Sequence, residues 1–243
     1  DQHQLTLYYQ LKISMIDGQA REVEALTRWE HLKRGLLSPD QFIPLAEQTR
    51  LMHAFIRWVL QSALRQIKIW HRKGFTSRIA VNLSMHNLQY ERLPHIIKKL
   101  LKTSGGNPNW LGVEVTAGVL AADPIRALDI QSHLHDMSVW IAMMTSGPVI
   151  RLLRCLSGCL DEIKVDKSFV MGLTTEAQDV AIVRATINLG QSLGLTVTAE
   201  GVENQETADC LAELDCDFTQ AYYYSRRVPA ADITPWLQSG QQT

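Results

Sequence analysis

Polar and apolar residues alternate over the first thirty positions, the period of a half-buried strand. Residues 5–16 alternate and end at Asp17-Gly18, a hairpin turn signal that leads into a second strand around Glu24. In that strand Val23, Ala25 and Thr27 point one way and Glu24, Leu26 and Arg28 the other. After residue 36 the period changes. Ser38 can cap a helix begun by Pro39. Over residues 52–73 the apolar positions Phe55, Val59, Leu60, Ala63, Ile67 and Trp70 recur at three- and four-residue steps until Gly74. From there strands and helices take turns. Strands are predicted at residues 79–83, 111–116, 138–144, 162–165, 196–199 and 218–223, and helices at 93–102, 124–134, 149–155, 178–193 and 206–214. Trp29, Phe42 and Leu45 read as core, and the scattered histidines as solvated or core residues.

About eight strands alternating with helices after an initial hairpin predict an α/β fold, a closed or near-closed (β/α) barrel. It is expected to be one domain over residues 1–243, with no linker and no internal repeat. Functional side chains of such a barrel gather at the C-terminal ends of the strands. There the chain carries Glu24, Arg28, Asn82, Glu114, Lys164, Asp166, Glu200 and Gln220. A ring of carboxylates with an amide and a lysine makes a poor core and a good site for hard cations and phosphate. A carboxylate facing into a barrel is costly unless it meets a cation or a metal. Taken alone, the Glu24 strand fits equally an edge strand whose charges face water.

Composition narrows the class. The chain is 46% hydrophobic and 20% charged, enough to bury a sizeable core. Its 24 basic and 25 acidic residues leave a net charge of −1, and no basic block marks a nucleic-acid surface. No apolar run reaches membrane-spanning length, and no signal peptide is expected in this segment. The four cysteines, Cys155, Cys159, Cys210 and Cys216, lack the spacing of a zinc site. They read as reduced thiols, and a cytoplasmic placement is expected. The chain opens on Asp1 and is expected to be an excised domain, which leaves room for membrane or sensor segments elsewhere in the parent.

Several blocks in this order resemble the EAL-type cyclic di-GMP phosphodiesterases. They are Glu24-Ala25-Leu26 with Arg28-Trp29, Phe42-Ile43-Pro44-Leu45-Ala46-Glu47, Val81-Asn82-Leu83-Ser84, and Glu114-Val115-Thr116. Further on come Lys164-Val165-Asp166-Lys167-Ser168-Phe169-Val170, Ala199-Glu200-Gly201-Val202-Glu203, and Gln220 leading to Ser225-Arg226. The resemblance implies a TIM-like barrel whose first strand runs against the others, and a substrate of two guanosines joined by two phosphodiester bonds. It implies two Mg²⁺ or Mn²⁺ ions held by Glu24, Asn82, Glu114 and Glu200 together with further acids. By the same resemblance Lys164 and Gln220 lie near the attacking water, Arg28 meets phosphate and Gln10 lies near one guanine. Family members often dimerise, so a homodimer is an expected arrangement.

Active members of that family follow the next strand with two adjacent aspartates and a glycine-rich loop. Here the segment reads Ile141-Ala142-Met143-Met144-Thr145-Ser146-Gly147-Pro148, and nothing acidic lies between Ser138 and Leu160. The second glutamate that family members carry after Glu-x-Thr is Ala117 here. Leu11 stands where they usually have proline, and Arg50 where they often have glycine. Two divalent ions need several carboxylates to offset their repulsion, and a thioether does not replace one for Mg²⁺. The expected function is therefore a catalytically impaired cyclic di-GMP receptor or regulatory module. It would need no metal to bind, with Mg²⁺ or Mn²⁺ at most at an incomplete site. The alternatives are an active or weakly active phosphodiesterase that releases the linear dinucleotide, and a protein-interaction adaptor that binds no nucleotide. An adaptor would use its barrel surface, and the rewritten segment from Met143 to Leu156 could hold a changed dimer or a new partner.

Overall fold

A computed structural model of the protein describes residues 4–49, 51–118, 123–145, 158–221 and 226–239. The alternating start folds as the hairpin β1 (Leu5–Ser14) and β2 (Ala20–His31), in antiparallel register from Leu5 opposite Trp29 to Ile13 opposite Ala20. The next strands are β3 (Gly35–Leu37), β4 (Arg78–Asn82), β5 (Leu111–Thr116) and β6 (Trp140–Thr145). They are followed by β7 (Glu162–Val165), β8 (Thr196–Val202), β9 (Phe218–Ala221) and β10 (Val228–Pro229). Strands β2 and β4 to β9 pair in parallel around a ring, and β1 closes it, antiparallel to both β2 and β9. The result is a closed eight-stranded barrel whose first strand opposes the rest, as expected. The short β3 and β10 lie outside the ring, on β2 and β1.

Helices α1 (Pro39–Glu47), α2 (Met52–Arg72), α3 (Met85–Leu88), α4 (Leu93–Ser104) and α5 (Pro124–Asp136) accompany the first half. The second half adds α6 (Lys167–Val170), α7 (Ala177–Ser192), α8 (Gln205–Glu213) and α9 (Ala230–Ser239). Ser38 and Gln41 form the capping box that starts α1. In α2 the stripe Ile56, Val59, Leu60, Ala63, Leu64, Ile67 and Trp70 is buried, and Gly74 turns the chain away at φ +92. Trp70 meets the edge of Tyr9 at 5.0 Å and donates its indole N–H to Thr234 Oγ1 at 3.0 Å, tying α2 to β1 and α9. Among the described residues no helix is long and apolar enough to cross a membrane.

Strand alternation sorts the barrel into an apolar shell and a polar interior. Val23, Ile79, Val113, Ile141, Ile163 and Val197 are buried beneath the helices. Their neighbours Glu22, Glu24, Glu114, Glu162, Lys164 and Thr198 are buried too, inside the ring. Gly112 leaves room for them: a Cβ there would come within 3.4 Å of Glu22 Oε2.

The structure corrects several sequence expectations. Leu45 is 59% exposed on α1 rather than core, because that helix buries only Phe42. Strand β1 stops at Ser14, and β3, α3, α6, β10 and α9 lie where no element was expected. The shortest of these segments cannot display a period. The helix expected at 149–155, Cys155, Arg50, residues 222–225 and most of the rewritten segment fall outside the described residues.

Candidate functional site

Two layers of charge fill the barrel. In the lower layer Lys12 Nζ lies 2.6 Å from both Glu22 Oε1 and Glu162 Oε2. Arg78 reaches Glu22 Oε2 at 3.2 Å, and Trp140 and Thr198 donate to Glu162 at 2.9 and 2.6 Å. Burial opposes the charge on Lys12, but the two carboxylates outweigh it and raise its pKa; Glu162 is lowered in turn. The sequence reading missed this layer because these residues sit at the strand ends opposite those expected to carry function. A fully paired plug of this kind closes that end of the barrel.

The upper layer gathers the candidate residues. Lys164 has no exposure, and its Nζ lies 2.6 Å from Glu114 Oε2 and 2.7 Å from Glu200 Oε1. The Glu200 contact is an ion pair by distance without hydrogen-bond alignment, since that oxygen is buried with no hydrogen-bond partner. Glu24 is held by amides instead. Asn82 Nδ2 donates to its Oε1 at 2.6 Å, and Gln220 Nε2 donates to Oε2. Gln220 also approaches Gln10 Oε1 at 3.4 Å. Register makes these meetings unavoidable: Gln10 lies opposite Glu24, Asn82 beside Glu114, and Glu200 beside Gln220.

Burial pushes the Glu114 carboxyl well above its ordinary range, and the nearby glutamates add to this against Lys164. For Glu24 burial acts in the same direction, yet Lys164 and the two amide hydrogen bonds prevail and its pKa is lowered. Burial also works against the ammonium of Lys164, but Glu114, Glu200 and Glu24 hold it charged well beyond the usual lysine range.

Above this layer opens a cleft of about 740 Å³, ample for a ligand of several rings. Gln10, Glu24, Arg28, Asn82, Glu200 and Gln220 line it, while Glu114 and Lys164 lie beneath. Arg28 lines the same cleft. Its Nη1 donates to Thr27 O at 2.8 Å, and its guanidinium carbon lies 5.6 Å from the Tyr8 ring centre. Asp166 does not join them: it caps α6, accepting from Ser168 N at 2.8 Å. Residues the sequence reading missed complete the walls, among them Met144, Lys167, Met171 and Arg227.

Strand β6 brings no acid to this end. Ala142 and Met143 are buried, and Met143 packs within the apolar shell. Met144 lines the cleft, and Thr145 Oγ1 donates to Lys164 O at 3.1 Å. Glu200 is aimed by an irregularity, a register shift between Glu200 and Val202 at which Gly201 takes φ +75. A Cβ on Gly201 would lie 2.5 Å from Lys167 Cβ. Gly201→Ala is therefore expected to lower stability by about 1–3 kcal/mol, read from a urea melt. An unchanged midpoint would show that the bulge relaxes freely.

The comparisons agree with this architecture. A family model described as "EAL domain" matches residues 1–227. The MucR protein of Pseudomonas aeruginosa, named a bifunctional diguanylate cyclase/cyclic di-GMP phosphodiesterase, is 35% identical over 235 residues, 96% of this chain and 34% of that protein. An uncharacterized signaling protein of Caulobacter vibrioides is 38% identical over 239 residues, 98% of this chain and 29% of its own length. The solved PaMucR phosphodiesterase, in complex with c-di-GMP, superposes with a TM-score of 0.90 at 35% identity, covering 95% of this chain and 94% of that one. The chain thus spans about a third of the length of the curated relatives it matches. Fold, strand-end residues and family model converge, and the chain belongs to the EAL domain family of signalling modules related to the cyclic di-GMP phosphodiesterases.

Proposed function

We propose that this EAL domain is a catalytically impaired module that binds cyclic di-GMP and reports its concentration. The observation that carries the reading is the end of β6, where Met144 lines the cleft and the strand brings no carboxylate. The remaining acids are already engaged, Glu114 and Glu200 by Lys164 and Glu24 by Asn82 and Gln220.

The metal question turns on that donor set. Glu200 Oε1, buried without a hydrogen-bond donor, is an acceptor that a cation would satisfy. Glu24, Asn82, Glu114 and Glu200 offer hard oxygen donors that fit one divalent ion, in competition with the Lys164 ammonium. They do not fit two, because an adjacent second ion needs carboxylates from β6 to offset its charge. A single ion there would supply polarisation of a phosphoryl oxygen. Binding rests on the chain's own groups: Arg28 for phosphate, Gln10 and Gln220 for polar contacts, and the cleft walls for the bases. Occupancy then follows nucleotide concentration by mass action.

Titration calorimetry with cyclic di-GMP tests this. The wild type is expected to release heat in chelator as well as in Mg²⁺, and Arg28→Ala to weaken binding about tenfold or more, the loss of a charge-assisted contact. Unchanged affinity in Arg28→Ala would refute the phosphate assignment. No heat at high micromolar ligand would favour the adaptor reading.

A further inference from the structure

Among the described residues the charges along the cleft do not balance in favour of an anion: five carboxylates line it, from Glu24, Asp40, Glu47, Glu200 and Glu203, against three cations, from Arg28, Lys167 and Arg227. A nucleotide with two phosphodiesters brings two further negative charges into that field, and like charge at close range opposes entry. The cations present, and where the fold holds them, decide whether such an anion can stay.

Arg227 is held by the backbone rather than left at a loop tip. Strand β10 pairs antiparallel with β1, Tyr9 opposite Val228 and Tyr8 opposite Pro229. The next step of that register brings Arg227 across from Gln10, on the inward-facing set of β1. The side chains meet accordingly: Arg227 Nε donates to Gln10 Oε1 at 3.3 Å. Gln10 is 4% exposed and also receives Gln220. A polar chain therefore runs from Arg227 through Gln10 and Gln220 to Glu24 and Asn82. A guanidinium tied at Nε is oriented as a planar fork, the geometry that suits a phosphate and that a lysine does not reproduce.

We propose that Arg227 is a second phosphate receiver of this cleft, so that with Arg28 it clamps the phosphodiester ring of a cyclic dinucleotide from either side of β1. The inference rests on the receptor reading above and adds the residue that offsets the carboxylates where no metal pair does so.

Calorimetric titration of cyclic di-GMP into the wild type, Arg227→Ala, Arg227→Lys and Arg28→Ala, each at low and high salt, tests the proposal. Arg227→Ala is expected to lose affinity about tenfold or more, to show a flatter salt dependence, and to keep the wild-type urea midpoint because the residue is exposed. Arg227→Lys is expected to recover part of the affinity, as a point charge without the fork. Wild-type affinity in Arg227→Ala, with binding lost in Arg28→Ala, would overturn this inference and leave the receptor reading standing. A silent wild type would overturn both. Should Arg227→Ala unfold early, the affinity of the folded Arg227→Lys decides: a reduced value supports the fork, and a wild-type value refutes it.

Discussion

Lys164→Met is expected to remove about 3–5 kcal/mol of stability, the cost of breaking a buried ion pair from one side. The residue is fully buried, and its ammonium is the charge that Glu114 and Glu200 share. Methionine fills the volume but leaves these carboxylates facing Glu24 with no cation between them. A domain holds only about 5–15 kcal/mol in total, so the variant should unfold at a much lower urea concentration. Its pH dependence separates a charge effect from a simple packing defect. Carboxylates stranded without a cation have folded-state pKa values raised above the unfolded value. They bind protons more tightly when folded, so stability falls as pH rises through that window. The variant is expected to regain part of its loss at about pH 5 relative to about pH 8. A loss equal at both would contradict the charge argument.

The wild type has edges on both sides. Glu24 and Glu162 are depressed below their ordinary value of 4.5, so their contribution is present above it and lost as pH falls through the folded values. Lys12 and Lys164 are raised above 10.5, so theirs is present below that value and lost as pH climbs past it. Glu114, raised, subtracts stability as pH rises above 4.5. These edges follow from a barrel filled with ion pairs where an apolar one would be indifferent.

Much of this was legible in the chain. The period-two run through Glu24 and Arg28 put both on one face, and the structure turns that face into the cleft. The open choice there, site or water-facing edge, is settled for burial: Glu24 is 8% exposed inside a closed ring. Glu114, Lys164, Glu200 and Gln220 were found because polar residues at the ends of apolar strands stand out. Glu22 and Glu162 were not, since polar residues at strand starts look like solvent-facing alternation until ring closure buries them, and Lys12 joins them from near the end of β1 only because that strand runs antiparallel to the others. Arg227 escaped for a different reason. It is placed by a two-residue strand after the last periodic segment, and only tertiary pairing reveals which way it faces. Asp166, also a strand-end acid, makes a local hydrogen bond to the start of α6.

Cyclic di-GMP incubated with this domain and Mg²⁺ or Mn²⁺ is expected to persist, with turnover on the order of a hundredfold or more below that of a complete two-metal site. The in-line attack needs a water made nucleophilic at neutral pH and a leaving oxygen whose charge is offset, tasks that an ion pair divides between its members. The wall that β6 contributes, Met144, supports neither a second ion nor a base. Lys164 holds its proton tightly among carboxylates and cannot take one from water at neutral pH. Gln220 is committed to Glu24 through its amide nitrogen. What persists is a charged, shaped cleft, on which the proposed recognition rests.

The most direct measurement is anion-exchange chromatography of the nucleotide after incubation with the domain and Mn²⁺, run beside a calorimetric titration of the same sample. Heat of binding with the cyclic dinucleotide recovered intact is the predicted result. Release of the linear dinucleotide at an ordinary enzyme rate would contradict the account.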